Sequence, residues 1–205
     1  MVTFPPYLAS SFWYGAWLDA ISEGRSLETA VKIANSGVTD PRIFGRTLLL
    51  ANDGHPLVIS MAVEGGSRQL RSFQNVEGLT LSDHGNWRKN HLGAIEAAFG
   101  RFPYFSFIFE HLLQAYNNRS LVTLNDFNTE LHRHITSVLT GTLNSGDFNL
   151  FRQKQVLLER GKEIAESINP AESVINILMQ YGPEAITGVF ALYYNGGNSD
   201  LRLEF

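Results

Sequence analysis

The chain opens with helical periodicity. Phe12, Trp13, Ala16, Trp17, Ala20 and Ile21 recur at helical spacing, and Ser10 or Ser11 stands at a capping position, which predicts a helix to about Ser22. Ahead of it, Val2 to Phe4 reads as a short first strand, stopped by Pro5-Pro6. Ser26 caps a second predicted helix over Leu27 to Asn35, with Gly37 as its stop. The rhythm then changes. Thr47 to Ala51 and Leu57 to Val63 flank Asn52-Asp53-Gly54-His55, and Asp-Gly suits a turn with positive φ, so this stretch reads as a β-hairpin ended by Gly65-Gly66. Phe73 to Leu81 is a candidate third strand, weakened by Gly78.

From Asn86 the helical period returns. Asn86 is the expected cap of a helix from Trp87 to Phe99, closed by Gly100. Phe105, Ile108, Phe109, Leu112 and Tyr116 form the stripe of the next helix, with Pro103 near its first turn. Ser120 is read as the cap of a third, which carries Leu124, Phe127, Leu131, Ile135, Val138 and Leu139 on one side. Gly141 to Asn149 is a polar break, and Phe151 to Ser167 is weakly amphipathic. Asn169, Pro170 and Glu172 have the spacing of a capped helix start, with Val174, Ile177, Leu178 and Tyr181 as its stripe and Gly182-Pro183 as its stop. The expected fold is α+β: a small antiparallel sheet with a hairpin near residues 47–63, covered by a mostly helical C-terminal half. Residues 1–205 read as one domain, with a mixed part (1–85), a helical part (86–185) and a tail (186–205) compatible with a terminal hairpin around Gly196-Gly197.

Composition narrows the function. The 205 residues are 44% hydrophobic and 18% charged, enough apolar material for a core and too little charge for a disordered chain. With a formal net charge of −4, nucleic acid is not the expected partner, since no domain-wide basic field is available for phosphate backbones. The chain has no cysteine, which excludes disulfides, zinc–thiolate sites and thiol nucleophiles. The first residues lack the basic start of a secretory leader, and the apolar run from Leu8 to Ala20 is too short to span a bilayer. A cytoplasmic protein without a membrane span is the remaining expectation. His132 and His134 point to different helix faces, so no metal pair is expected, and no cofactor motif is present.

The order of short motifs is more specific. Phe44-Gly45-Arg46 leads into Leu48-Leu49-Leu50-Ala51-Asn52-Asp53-Gly54 and Leu57-Val58-Ile59-Ser60-Met61-Ala62-Val63. Later come Trp87-Arg88-Lys89-Asn90-His91, Ile95, Ala98-Phe99-Gly100 and Pro103-Tyr104-Phe105. Asn125-Asp126-Phe127-Asn128 with Leu131, and Ile175, Ile177, Leu178 with Tyr181-Gly182-Pro183-Glu184-Ala185, complete the series. In this order the blocks resemble the WbqC-like protein family, with its W-x-x-x-H, I-x-x-A-Y-G and P-Y-F segments. The resemblance implies a role in O-antigen and related surface-polysaccharide biosynthesis, with glycine transfer as a suggested activity. Two departures stand out. The family's Gln-Lys-x-Tyr-x-Asn-Arg stretch is here Thr39-Asp40-Pro41-Arg42-Ile43-Phe44-Gly45-Arg46, and the strand proline is Ala62.

Chemistry and resemblance together single out six side chains. Trp87 and His91 are four apart and share a helix face, where a neutral imidazole can act as general base and an indole can stack on a sugar. The ordinary alternative is a core Trp beside a hydrogen-bonded His. Arg46 at the hairpin start can clamp a carboxylate or phosphate, or pair with a nearby acid. Lys89 is a candidate anion contact in the first turn of the Trp87 helix, whereas Arg88 reads as part of a solvated polar face. Asn128 is expected to orient His91 or Arg46 or to cap a neighbouring turn, and Tyr104 is carried as a substrate contact although packing is its more ordinary role. Two functions remain open: a transferase acting on a sugar or nucleotide sugar with His91 as base, or a non-catalytic glycan- or partner-binding module. Self-association into a homo-oligomer is left open.

Overall fold

Ser10 and Ser26 open the first two helices as their positions predict. The computed structural model describes residues 2–51, 53–142, 172–183 and 185. The Ser10 hydroxyl accepts from the Trp13 N–H at 3.2 Å and starts α1, Ser11–Ser22. The Ser26 hydroxyl does the same for Thr29 at 3.2 Å and starts α2, Leu27–Asn35. The helices are joined by Asn35, whose Oδ1 accepts from the Trp13 indole at 2.8 Å. Its amide donates to the Val2 and Phe4 carbonyls at 2.9 and 3.0 Å. That corrects the first strand: Val2 to Phe4 pairs with a side chain, not with a sheet.

The hairpin forms as β1, Arg46–Leu50, and β2, Pro56–Ser60, antiparallel, with Arg46 opposite Ser60 and Leu48 opposite Val58. Gly54 has φ +79°, which supplies the left-handed turn residue. Beyond β2 the expected third strand is absent. Phe73–Val76 is one turn of helix, α3, because the Ser72 carbonyl accepts locally from the Asn75 and Val76 amides at 3.1 and 3.2 Å. Only Thr80 and Leu81 make bridges, to Thr123 and Val63 respectively.

The remaining described helices are α4, Trp87–Phe99; α5, Phe105–Asn117; α6, Leu124–Thr142; and α7, Val174–Tyr181. Two starts differ from expectation. Thr123, not Ser120, caps α6, accepting from the Asp126 amide at 3.0 Å, while Ser120 bonds Asn118. The α6 backbone also continues through Gly141, where a break was expected. α7 begins at Val174, four residues after the Pro170 start, because neighbours take the preceding backbone. The Glu172 carbonyl accepts from the Ser11 amide at 3.0 Å, and the Ser173 amide donates to Leu48 at 3.2 Å. Residues 174–179 are all buried, so this helix is surrounded rather than striped. Asn169, Pro170, the Phe151–Ser167 segment and the 186–205 tail lie outside the described residues.

The architecture is α+β, with a two-stranded antiparallel sheet and seven helices among the described residues. One apolar cluster takes side chains from the N-terminal segment, the hairpin and the helices, including Phe44, Leu49, Phe99, Leu112, Phe127 and Leu178. α1 meets α6 through His132, which stacks on Tyr14 and meets Trp13 and Trp17 edge-on. His134, two residues on, bonds Glu130 instead, so the two imidazoles do point apart. No helix among the described residues is long and apolar enough to cross a membrane.

Candidate functional site

The site grows out of the buried face of α4. Trp87 and His91 are one helical turn apart, and their rings meet edge-to-face with centroids 5.1 Å apart. The indole N–H of Trp87 donates to the Ser82 carbonyl at 2.9 Å, so its polar edge is already engaged. His91 is 6% exposed. Its Nε2 lies 3.0 Å from the Ser60 carbonyl at the end of β2. A carbonyl only accepts, so Nε2 carries the proton and Nδ1 is the acceptor. The Tyr7 hydroxyl, 2.9 Å away, donates to Nδ1. The Tyr116 hydroxyl lies farther from Nδ1, at 3.5 Å, and bonds the Tyr7 oxygen. Tyr116, Tyr7, His91 and the Ser60 carbonyl thus form one directed chain of hydrogen bonds.

Burial sets the charge state of this chain. It pushes the His91 imidazole down to about 4, with the Ser60 carbonyl partly opposing. Burial first, and then the neighbouring Tyr116, raises the Tyr7 phenol well above its ordinary range. Burial likewise raises Tyr116. All three groups are therefore neutral near pH 7, and the imidazole has a donor or acceptor already in place at each nitrogen.

Arg88 overturns the expected solvated face. It is 6% exposed and turns inward, lying over the rings of Trp87 and Phe127 at 5.0 Å from each centroid. Nη1 donates to the Ala115, Tyr116 and Asn118 carbonyls at 3.5, 3.1 and 3.1 Å, and Nη2 to Leu121 at 2.9 Å. Tyr116 lies in the last turn of α5, where a cation also meets the negative end of the helix dipole, while the Ala115 carbonyl also accepts from the Asn118 amide at 3.2 Å. The cation that starts α4 thus completes the end of α5.

The other candidates divide into two groups. Arg46 stands opposite Ser60, so it flanks the residue that His91 holds. It is half-buried, and its Nε is buried with no acceptor. Burial pushes the nearby Asp40 carboxyl up, but hydrogen bonds from Arg42, with charge from Arg42 and Arg46, hold it below its ordinary value. Asn128 donates to the Phe44 carbonyl at 2.7 Å and the Pro5 carbonyl at 3.1 Å. It therefore pins the turn that leads into Arg46. Lys89 is exposed, about 200° around α4 from Trp87, on the side away from the His91 cluster. Tyr104 is also exposed and covers Gly182 at the end of α7, remote in role from the imidazole.

Tyr7 and Tyr116 are site residues that the sequence did not single out. Tyr116 was legible only as a member of an apolar stripe, and Tyr7 only as the residue that follows the Pro5-Pro6 stop. No group of three histidine, aspartate or glutamate side chains among the described residues is arranged to hold a metal ion. The arrangement can present a guanidinium at the open end of a hairpin that a neutral imidazole and two phenols hold in position.

Comparison with known proteins agrees with the motifs from Phe44 to Leu131; the block from Ile175 to Ala185 lies outside the matched residues. The model of the WbqC-like protein family matches residues 39–172, more than half of the chain. The match includes Arg46, Ser60, Trp87, His91, Tyr104, Tyr116 and Asn128, and leaves out Tyr7. No curated protein and no solved structure matches.

Proposed function

The chain belongs to the WbqC-like protein family, and from that premise we propose that it serves surface-polysaccharide biosynthesis in the cytoplasm, binding an anionic sugar or nucleotide sugar at the open end of the hairpin. The observation that carries this reading is Arg46: a half-buried guanidinium whose Nε is buried without an acceptor, opposite the residue that His91 holds. A guanidinium fork matches phosphate and carboxylate oxygens in pairs, and its charge persists at any physiological pH. Asn128 fixes the approach to Arg46 through Phe44. Trp87 serves as an apolar wall rather than a hydrogen-bonding contact, since its indole N–H is taken. Lys89 faces away from the His91 cluster and Tyr104 covers the end of α7, so neither is part of this proposal.

The test is calorimetric titration with a panel of nucleoside diphosphate sugars. Arg46→Ala is expected to weaken binding by roughly tenfold or more, the cost of one or two charge-assisted hydrogen bonds. Arg46→Lys restores only part of it, because an ammonium cannot reproduce the fork. Unchanged affinity in Arg46→Ala would overturn the reading.

A second reading is a transferase that moves an amino acid such as glycine from an activated acyl donor to a sugar amine, the donor's carrier leaving as the amide forms and His91 taking the amine proton as general base. It is favoured by an imidazole that is neutral at physiological pH and linked to two phenols. The binding reading is the better supported of the two, because both ring nitrogens of His91 are engaged within the protein. Mass detection of an aminoacylated sugar would establish transfer, and full turnover in His91→Ala would remove His91 as the base.

A further inference from the structure

Two phenols buried to 1% exposure call for an explanation that packing does not supply. Phenylalanine would fill the positions of Tyr7 and Tyr116 equally well without the cost of burying a hydroxyl. What the hydroxyls add is direction. Ser60 offers only a carbonyl to Nε2, and Tyr7 is the nearer donor to Nδ1, at 2.9 Å against 3.5 Å for Tyr116. Tyr116 then donates to the Tyr7 oxygen. The four groups come from α5, the N-terminal segment, α4 and β2, up to 109 residues apart in sequence. The chain ends on the residue opposite Arg46, and the next pair, the Met61 amide with the Gly45 carbonyl at 2.8 Å, closes the same end of the hairpin.

We propose that Tyr7 and Tyr116 are positioning residues: they hold His91 as its Nε2–H tautomer, and through the Ser60 carbonyl they fix the hairpin end that carries Arg46. Tyr7 orients the imidazole directly, and Tyr116 acts through Tyr7. The consequence for ligand rests on the binding reading above; the ring-nitrogen arrangement does not. Loss of the Tyr7 hydroxyl leaves Nδ1 buried without its donor and lets the ring relax away from Ser60. Loss of the Tyr116 hydroxyl leaves the Tyr7 bond to Nδ1 in place.

The experiment is nitrogen NMR of histidine-labelled protein at neutral pH, with His91→Gln assigning the ring signals. Wild type should show a protonated Nε2 and a hydrogen-bonded, unprotonated Nδ1. Tyr7→Phe should move Nδ1 towards the value of an unbonded ring nitrogen and speed amide exchange at Met61 by about tenfold, as expected for one lost hydrogen bond. Tyr116→Phe should leave Nδ1 bonded and speed exchange less. A proton on Nδ1 in wild type, or an Nδ1 signal unmoved in Tyr7→Phe, would overturn the proposal. Both variants keep the aromatic ring, and a variant that fails to fold is judged by the other and by the wild-type tautomer. Titration with uridine diphosphate glucose separates the two claims. Weaker binding in Tyr7→Phe supports the coupling to Arg46. No binding by wild type counts against the binding reading, and the ring nitrogens still decide the role of the phenols.

Discussion

Acid should loosen this fold before its carboxylates protonate, and His91 should account for a measurable share. In the native state burial holds the imidazole at about 4, against an ordinary value of 6.5. Below pH 6.5 the unfolded chain takes up a proton that the folded chain refuses. The stabilisation is therefore complete above 6.5 and is lost as pH falls from 6.5 towards 4. A shift of that size corresponds to about 3 kcal/mol in all, and to about 2 kcal/mol between pH 7.5 and pH 5. His132 pulls the same way, because burial lowers it to about 3. Asp40 and Glu130 are held below their ordinary values, so their contributions fall away at lower pH, outside this window. The assay is urea unfolding at several pH values for wild type and His91→Gln, a side chain that can still donate to Ser60 and accept from Tyr7 but does not titrate. Wild type should lose about 2 kcal/mol more than His91→Gln on going from pH 7.5 to pH 5. Parallel losses in the two proteins would refute the reasoning, since they would mean that His91 protonates in the folded state as readily as in the unfolded one.

Two further outcomes follow from single contacts. Arg88→Met should keep the packing against Trp87 and Phe127 but strand the carbonyls of Tyr116, Asn118 and Leu121, costing about 3 kcal/mol in denaturant unfolding, and Arg88→Lys should recover only part of it. Gly182→Ala should cost on the order of 1–3 kcal/mol by thermal unfolding, because φ is +84° and an added Cβ would lie 2.8 Å from the Tyr104 ring; adding Tyr104→Ala should relieve the clash and leave the backbone strain.

The elements with local causes were legible from the chain. Ser10 and Ser26 meet their partner amides three residues on, Gly54 supplies its own turn geometry, and the α4 limits, Trp87 and Phe99, follow from periodicity and a closing glycine. The pairing of Trp87 with His91 was legible for the same reason, since four residues is one helical turn. Two departures were local, the helical turn at Phe73–Val76 and the Thr123 cap of α6; the others came where a distant group competed with a local preference. Asn35 took the Val2 and Phe4 carbonyls, and α1 and β1 took the backbone of Glu172 and Ser173 ahead of α7.

The sequence by itself determined the family, the hairpin and the helix that presents His91. Only the tertiary structure decided that Arg88 would cap α5, that Lys89 would face away, and that Tyr7 and Tyr116 would reach His91 across 84 and 25 residues. The physical reason is the range of the forces involved. Capping and periodicity act within a turn or two and leave a trace in neighbouring residues. A directed hydrogen bond between distant segments leaves none, because it exists only after the core has brought donor and acceptor together.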